Sequence, residues 1–169
     1  PTRLPWLNAL LGAAPLGIWL PYGLYRRLHL RHHEAELTHP DTDPESYFLY
    51  AVDWHAASPA MRKLYAARNT LAGRMLLQPA FSILTIAADA CAKLRSGDWR
   101  DAPMWAAHLL AVAVLLVWLQ TACGLPAWLM LLGVAYPALS LAAIRSFQEH
   151  RPADSHATRS VINDAGLMW

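Results

Sequence analysis

Two stretches without a single Asp, Glu, Lys or Arg, residues 103–121 and 125–144, constrain this chain more than anything else in it. Each approaches the ~20 residues of helix needed to cross a bilayer's hydrocarbon core, where backbone polar groups must be paired within the segment. Only Ala122, Cys123 and Gly124 lie between them, so the pair reads as a tight transmembrane hairpin. The whole chain agrees: 56% of its residues are apolar and 15% charged, against about 45–50% and about 25% in ordinary soluble domains. A soluble globular domain is therefore a poor fit.

Charge placement adds a topology. All 14 Lys and Arg residues lie outside the hairpin, and its short turn has none. The positive-inside rule puts the flanking regions in the cytoplasm and the turn on the far side. A third apolar run, Met75 to Ala88, holds Gln78 and Pro79 and is shorter than a span. Were it a crossing, the Arg-rich residues 25–69 and 145–169 would face opposite compartments. Two crossings satisfy the rule, so 75–88 is expected as an interfacial helix against the cytoplasmic leaflet, followed by a polar loop. Residues 7–20 are apolar but interrupted by Pro15 and bounded by Pro5 and Pro21, which suits an interfacial or re-entrant segment.

The expected architecture is thus all-α and integral to the membrane: a transmembrane helical hairpin plus cytoplasmic and interfacial helices. It forms one domain over 1–169, with an interfacial or re-entrant segment at 1–24, a histidine-rich helical region at 25–69, an interfacial helix and loop at 70–102, the hairpin at 103–144 and a cytoplasmic segment at 145–169. Within 47–69, Met61, Leu64 and Tyr65 fall at helical spacing with Arg62, Lys63 and Arg68 around them. The chain begins with Pro1-Thr2 and shows no secretory leader, so its start reads as cropped. Cys91 and Cys123 are too few for a disulfide framework or a thiolate metal site. A net charge of +2 points to no particular partner, and no nucleic acid is expected.

The chemistry concentrates at His29, His32 and His33. On a helix, positions i, i+3 and i+4 share a face, so three imidazoles converge within about one turn. Neutral ring nitrogens bind transition metals when each ring's other nitrogen has an acceptor. Imidazole alone does not choose among iron, copper, nickel and zinc. The competing reading is a juxtamembrane basic cluster, with Arg26, Arg27 and Arg31 reaching anionic headgroups and the histidines incidental. Beyond the second span, His150 returns to the same side of the membrane, either as a fourth ligand or as a solvated histidine. Asp43 and Glu45 are either acceptors behind ligand imidazoles or turn-forming residues of the Asp43-Pro44 stretch; Glu45 is assigned to the turn, Asp43 stays open between the two, and Glu149 is a further candidate acceptor. His39, His55 and His156 read as surface residues, and His108 as an intramembrane histidine able to reach the interface. The tryptophans at 99, 105 and 128 suit an interfacial belt.

Taken together, these motifs resemble the membrane fatty acid desaturase family, whose three histidine boxes lie on the cytoplasmic face of a four-span helical bundle. That family's second box, H-x-x-H-H, matches His29, His32 and His33. Thr38, Thr42 and Asp43-Pro44 match the threonine and Asp-Pro that often follow it, and His150 matches its isolated ligand histidine. The opening Pro1-Thr2-Arg3 resembles residues just after the first box of bacterial members. The first box would precede Pro1 and the third follow Trp169, and Ser146 stands where some members carry an asparagine.

The resemblance implies a lipid acyl substrate, two irons, O2 as co-substrate, an electron donor such as a ferredoxin or cytochrome, and a place in the bacterial inner membrane. It implies O2-dependent dehydrogenation of an acyl chain, with His29, His32, His33 and His150 as metal ligands. This stretch alone is expected to be inactive and to bind iron weakly. Two alternatives remain open: a membrane diiron hydroxylase acting on alkanes, sterols or carotenoids, and a non-catalytic metal-binding membrane protein.

Overall fold

The computed structural model describes residues 3–14, 17–36 and 39–149, the last three of these by their backbone alone. Among them there is no strand. The helices are α1 (Pro5–Ala13), α2 (Tyr22–Glu34), α3 (Ala51–Ala56), α4 (Pro59–Arg68), α5 (Leu71–Leu76), α6 (Gln78–Arg95), α7 (Ala102–Ala122) and α8 (Tyr136–Glu149), with a π-helical stretch at Leu129–Ala135 leading into α8. Two helical segments, Ala102–Ala122 and Leu129–Ser146, are long and apolar enough to cross a membrane.

The chain divides into two compact units, one of Pro1–Arg26 with Pro79–Leu139 and one of Arg27–Gln78 with Ser140–Trp169. In the first, α7 and the π-helical stretch pack through Val112 and Ala135, with Ile18 between elements and Trp19, Leu116, Met130 and Leu131 around them. The chain reverses at Gly124, whose φ of +68° is a left-handed conformation in which any other side chain would be strained. The wider coil at 129–135 has a local cause in Pro137. Inside a helix a proline ring crowds the carbonyl four residues back and offers it no N–H. Here the helix is widened just ahead of it, and the Tyr136 N–H donates to the Leu131 carbonyl five residues back.

Two expectations are corrected. The helix expected to end near Ala88 continues to Arg95, because Asp89, Lys93 and Arg95 sit on an exposed surface where helix propensity meets no packing penalty. The second apolar helix enters at Ala127 and not at Leu125, since Pro126 fits a helix start and breaks an interior.

His108 lies part-buried on α7, where its Nε2–H donates to the Ile18 carbonyl at 3.0 Å. Ile18 sits in the turn between α1 and α2, where its carbonyl has no helical partner. His108→Leu removes the donor and strands that carbonyl in apolar surroundings, a loss of about 1–3 kcal/mol. His108→Gln restores a donor. Thermal unfolding in detergent should place the leucine variant below the glutamine variant and the wild type.

In the second unit, short helices begin on side-chain caps. Ser58 accepts from the Met61 N–H ahead of α4, and Thr70 accepts from the Gly73 N–H ahead of α5 at 3.0 Å. Near the end of α5 the Met75 carbonyl would look four residues on for its partner, but residue 79 is a proline with no N–H. The Ser140 hydroxyl donates to it instead, at 2.6 Å.

Candidate metal centre

Helix α2 carries the histidine triplet on one face. The ring centroids of His29 and His32 are 5.9 Å apart, those of His29 and His33 4.6 Å and those of His32 and His33 5.6 Å. The Nε2 atoms of His29 and His33 approach to 3.1 Å, sharing a hydrogen.

Behind two of these rings stand carboxylates from the segment that follows α2. The His32 Nδ1–H donates to Asp43 Oδ1 at 2.7 Å, in a pair of which 3% and 4% of each residue is exposed. The His29 Nδ1–H donates to Glu45 Oε1 at 3.0 Å. A carboxylate only accepts, so it fixes the hydrogen on Nδ1 and leaves the lone pair of a neutral ring on Nε2. Carboxylate-backed imidazoles of this kind are the usual arrangement behind metal-binding histidines.

The segment is held as a series of turns. Asp43 Oδ1 accepts a second bond, from the Glu45 N–H at 2.8 Å, and the Asp43 N–H donates to the His39 carbonyl at 3.1 Å. Tyr50 O–H donates to Asp41 Oδ2 at 2.8 Å, its oxygen lies 3.3 Å from His39 Nε2, and the Asp41 N–H donates to His39 Nδ1 at 3.3 Å. The bond to Asp41 holds the Tyr50 hydroxyl above the usual tyrosine range.

Tyr47 is gripped from two sides. Arg68 donates to its carbonyl at 2.7 Å, and the Arg74 guanidinium lies 4.5 Å from its ring centroid while donating to Asn69 Oδ1 at 3.2 Å. Both arginines are buried, and burial pushes each below the usual guanidinium range. This corrects the expectation that Arg68 belongs with Arg62 and Lys63 on a polar helix face. Of those three only Lys63 is exposed, and Arg62 instead donates to the His55 and Ala57 carbonyls.

Burial also pushes the Tyr47 phenol up from its ordinary value of 10.0, with Arg74 opposing the shift. A raised folded value means that the folded state keeps a proton the unfolded state loses. Its contribution to stability is complete below about pH 10 and is lost as pH rises through the raised value. Alkaline titration followed at the tyrosinate absorbance should show Tyr47 ionising later than free tyrosine, together with loss of fold.

The structure therefore gathers His29, His32, His33 and Asp43, and adds Glu45, which serves the cluster as well as the turn. His150 and His156 lie outside the described residues, as does the Glu149 side chain. His39 is half-buried against Tyr50, and His55 is exposed. Among the described residues no three His, Cys, Asp or Glu side chains form a closed set around one metal position. The donors nevertheless fit iron in kind: imidazole nitrogens, two of them backed by carboxylates.

A family model described as fatty acid desaturase matches residues 1–168 of the chain. No curated protein and no solved structure matches it.

Proposed function

The chain belongs to the fatty acid desaturase family, and from that premise we propose that it forms part of a membrane-embedded, iron-dependent oxidoreductase that removes two hydrogens from a lipid acyl chain. Helix α2 supplies His29, His32 and His33 as ligands to a dinuclear iron centre, and His150 is a fourth ligand on sequence grounds. The observation that carries this reading is the pair of carboxylate-backed imidazoles, His32 on Asp43 and His29 on Glu45. Histidines that merely decorated a basic helix would have no need of carboxylates on their Nδ1 atoms, one of them buried.

The protein's own residues have three tasks. Asp43 and Glu45 hold two rings in one tautomer and one orientation, which presents Nε2 to a cation and makes each ring a better donor. The shared hydrogen between His29 and His33 keeps those two nitrogens close, where a cation can take its place. Residues 103–144 form the transmembrane hairpin, and the positive flanks place the histidine face on the cytoplasmic side, within reach of a soluble donor such as a ferredoxin or of a membrane cytochrome. Iron, when bound, supplies the O2 activation that abstracting hydrogen from an unactivated alkyl chain requires.

The test is product mass. Full-length protein in lipid vesicles, given ferrous iron, O2 and a reduced ferredoxin, should yield acyl chains lighter by two hydrogens, and His32→Ala should yield none. A product that gains one oxygen instead would make the enzyme a hydroxylase. Iron-loaded protein that alters no lipid would overturn the assignment.

A further inference from the structure

Tyr47 stands two residues beyond Glu45 and four beyond Asp43, and two buried guanidiniums converge on it. Arg68, 8% exposed, donates to its carbonyl, and Arg74, 3% exposed, stacks on its ring. Burying two like charges around one residue is costly, and apolar side chains of similar volume would fill the space with less penalty. What the guanidiniums provide is direction: one N–H that fixes a backbone carbonyl and a flat cation that fixes one ring plane.

We infer that Arg68 and Arg74 are positioning residues for the histidine cluster, holding through Tyr47 the segment that sets Asp43 behind His32 and Glu45 behind His29. The inference rests on the reading of that cluster as an iron site. The grip on Tyr47 closes the segment from its C-terminal side, as the bond from Tyr50 to Asp41 ties it from the other. Helix α5 reaches the position because Gly73 lets it approach the end of α4 closely. The Asn69 amide, at the corner between the two helices, then fixes the Arg74 fork. Neither arginine is a ligand. Each acts on the iron through the orientation of a carboxylate and the imidazole it backs.

The experiment is the rate at which iron leaves full-length protein for a strong ferrous chelator, measured beside the unfolding temperature. Arg74→Met and Arg68→Met are expected to release iron roughly 10-fold faster than wild type, in line with losses seen when outer partners of metal ligands are removed. Both should keep a near-native unfolding temperature. Arg74→Lys, which keeps the charge and loses the fork, should behave like Arg74→Met, and it decides the matter should the methionine variant not fold. Arg100→Met, which removes an exposed arginine paired with Asp98, should release iron at the wild-type rate.

In an Asp43→Asn, Glu45→Gln background, Arg74→Met should add less than about 2-fold, because residues acting through one path are not additive. Wild-type release rates in the Arg74 and Arg68 variants would overturn the inference, as would an undiminished Arg74 effect in that background. Wild-type protein that holds no iron at all would overturn the metal reading itself, and this inference with it.

Discussion

Asp43→Ala is expected to lower iron affinity by at least about 10–100-fold, the usual loss when the carboxylate behind a metal-binding histidine is removed. The structure gives a reason to expect the upper end. One oxygen, Asp43 Oδ1, accepts both from His32 and from the Glu45 N–H, so its removal frees the His32 ring and opens the turn that carries the carboxylate behind His29. Charge-assisted bonds of this kind are worth about 1.5–3 kcal/mol each, and the pair is buried. A stability loss of about 2–4 kcal/mol should accompany the loss of metal. Asp43→Asn separates the two effects. Its amide oxygen can accept both bonds, so the fold should survive, but without the negative charge the ring is a weaker donor. Iron titration and chemical unfolding of the three proteins would order them as wild type, Asn, Ala in affinity, with Asn close to wild type in stability.

Gly73→Ala should be the most damaging single change outside the histidine cluster. A Cβ at residue 73 would overlap the Ala67 carbonyl, and its next neighbour is the Arg68 backbone. Both are main chain at the end of α4, which cannot rotate aside as a side chain could. The Gly73 N–H is also the group that the Thr70 cap accepts from. To admit one methyl group, α5 must move away from α4 and carry Arg74 off Tyr47. A loss of about 3–5 kcal/mol follows, in the range reserved for disrupted cores and broken networks. Ala72→Gly, one residue earlier on an exposed position, removes only side chain and should cost about 1 kcal/mol. Measured in detergent, the two substitutions should differ severalfold in effect.

The sequence displays the parts of this protein that depend on spacing along one element. Residues 103–121 and 125–144 announce themselves by the absence of charge, and helices that could cross a membrane form there. His29, His32 and His33 lie on one face because helical geometry leaves them no other arrangement. Asp43 is visible as a candidate because an Asp-Pro follows the histidines at short range. Glu45 is harder to see, although a signal exists. The turn that Asp43-Pro44 begins carries a second carboxylate two residues on, and the Glu45 N–H bonds back to Asp43 Oδ1, so a turn that sets Asp43 behind His32 also holds Glu45 near His29, the neighbouring ring on the same helix face.

Other features depend on packing between segments far apart in the chain. Arg68 reads as an ordinary member of a polar helix face and Arg74 only as the charge before an apolar run, and the folded chain shows both buried on Tyr47. His108 reads as a histidine near an interface, and its partner, the Ile18 carbonyl, is 90 residues away. The π-helical stretch has a local cause in Pro137, but a proline inside an apolar run also fits a break, and only the folded chain shows the helix running on, with Ala135 in the core and Met130 against it. The run of α6 to Arg95 is hidden because charged residues such as Lys93 and Arg95 suit a polar loop as well as an exposed helix face.

The account turns on whether the rings of α2 hold iron. Full-length protein should be purified with these three histidines intact and again with His29, His32 and His33 all replaced by alanine, and the iron in each counted by mass spectrometry. The account predicts iron in the first protein and almost none in the second. Equal iron in both, or none in the protein with its histidines intact, would contradict it.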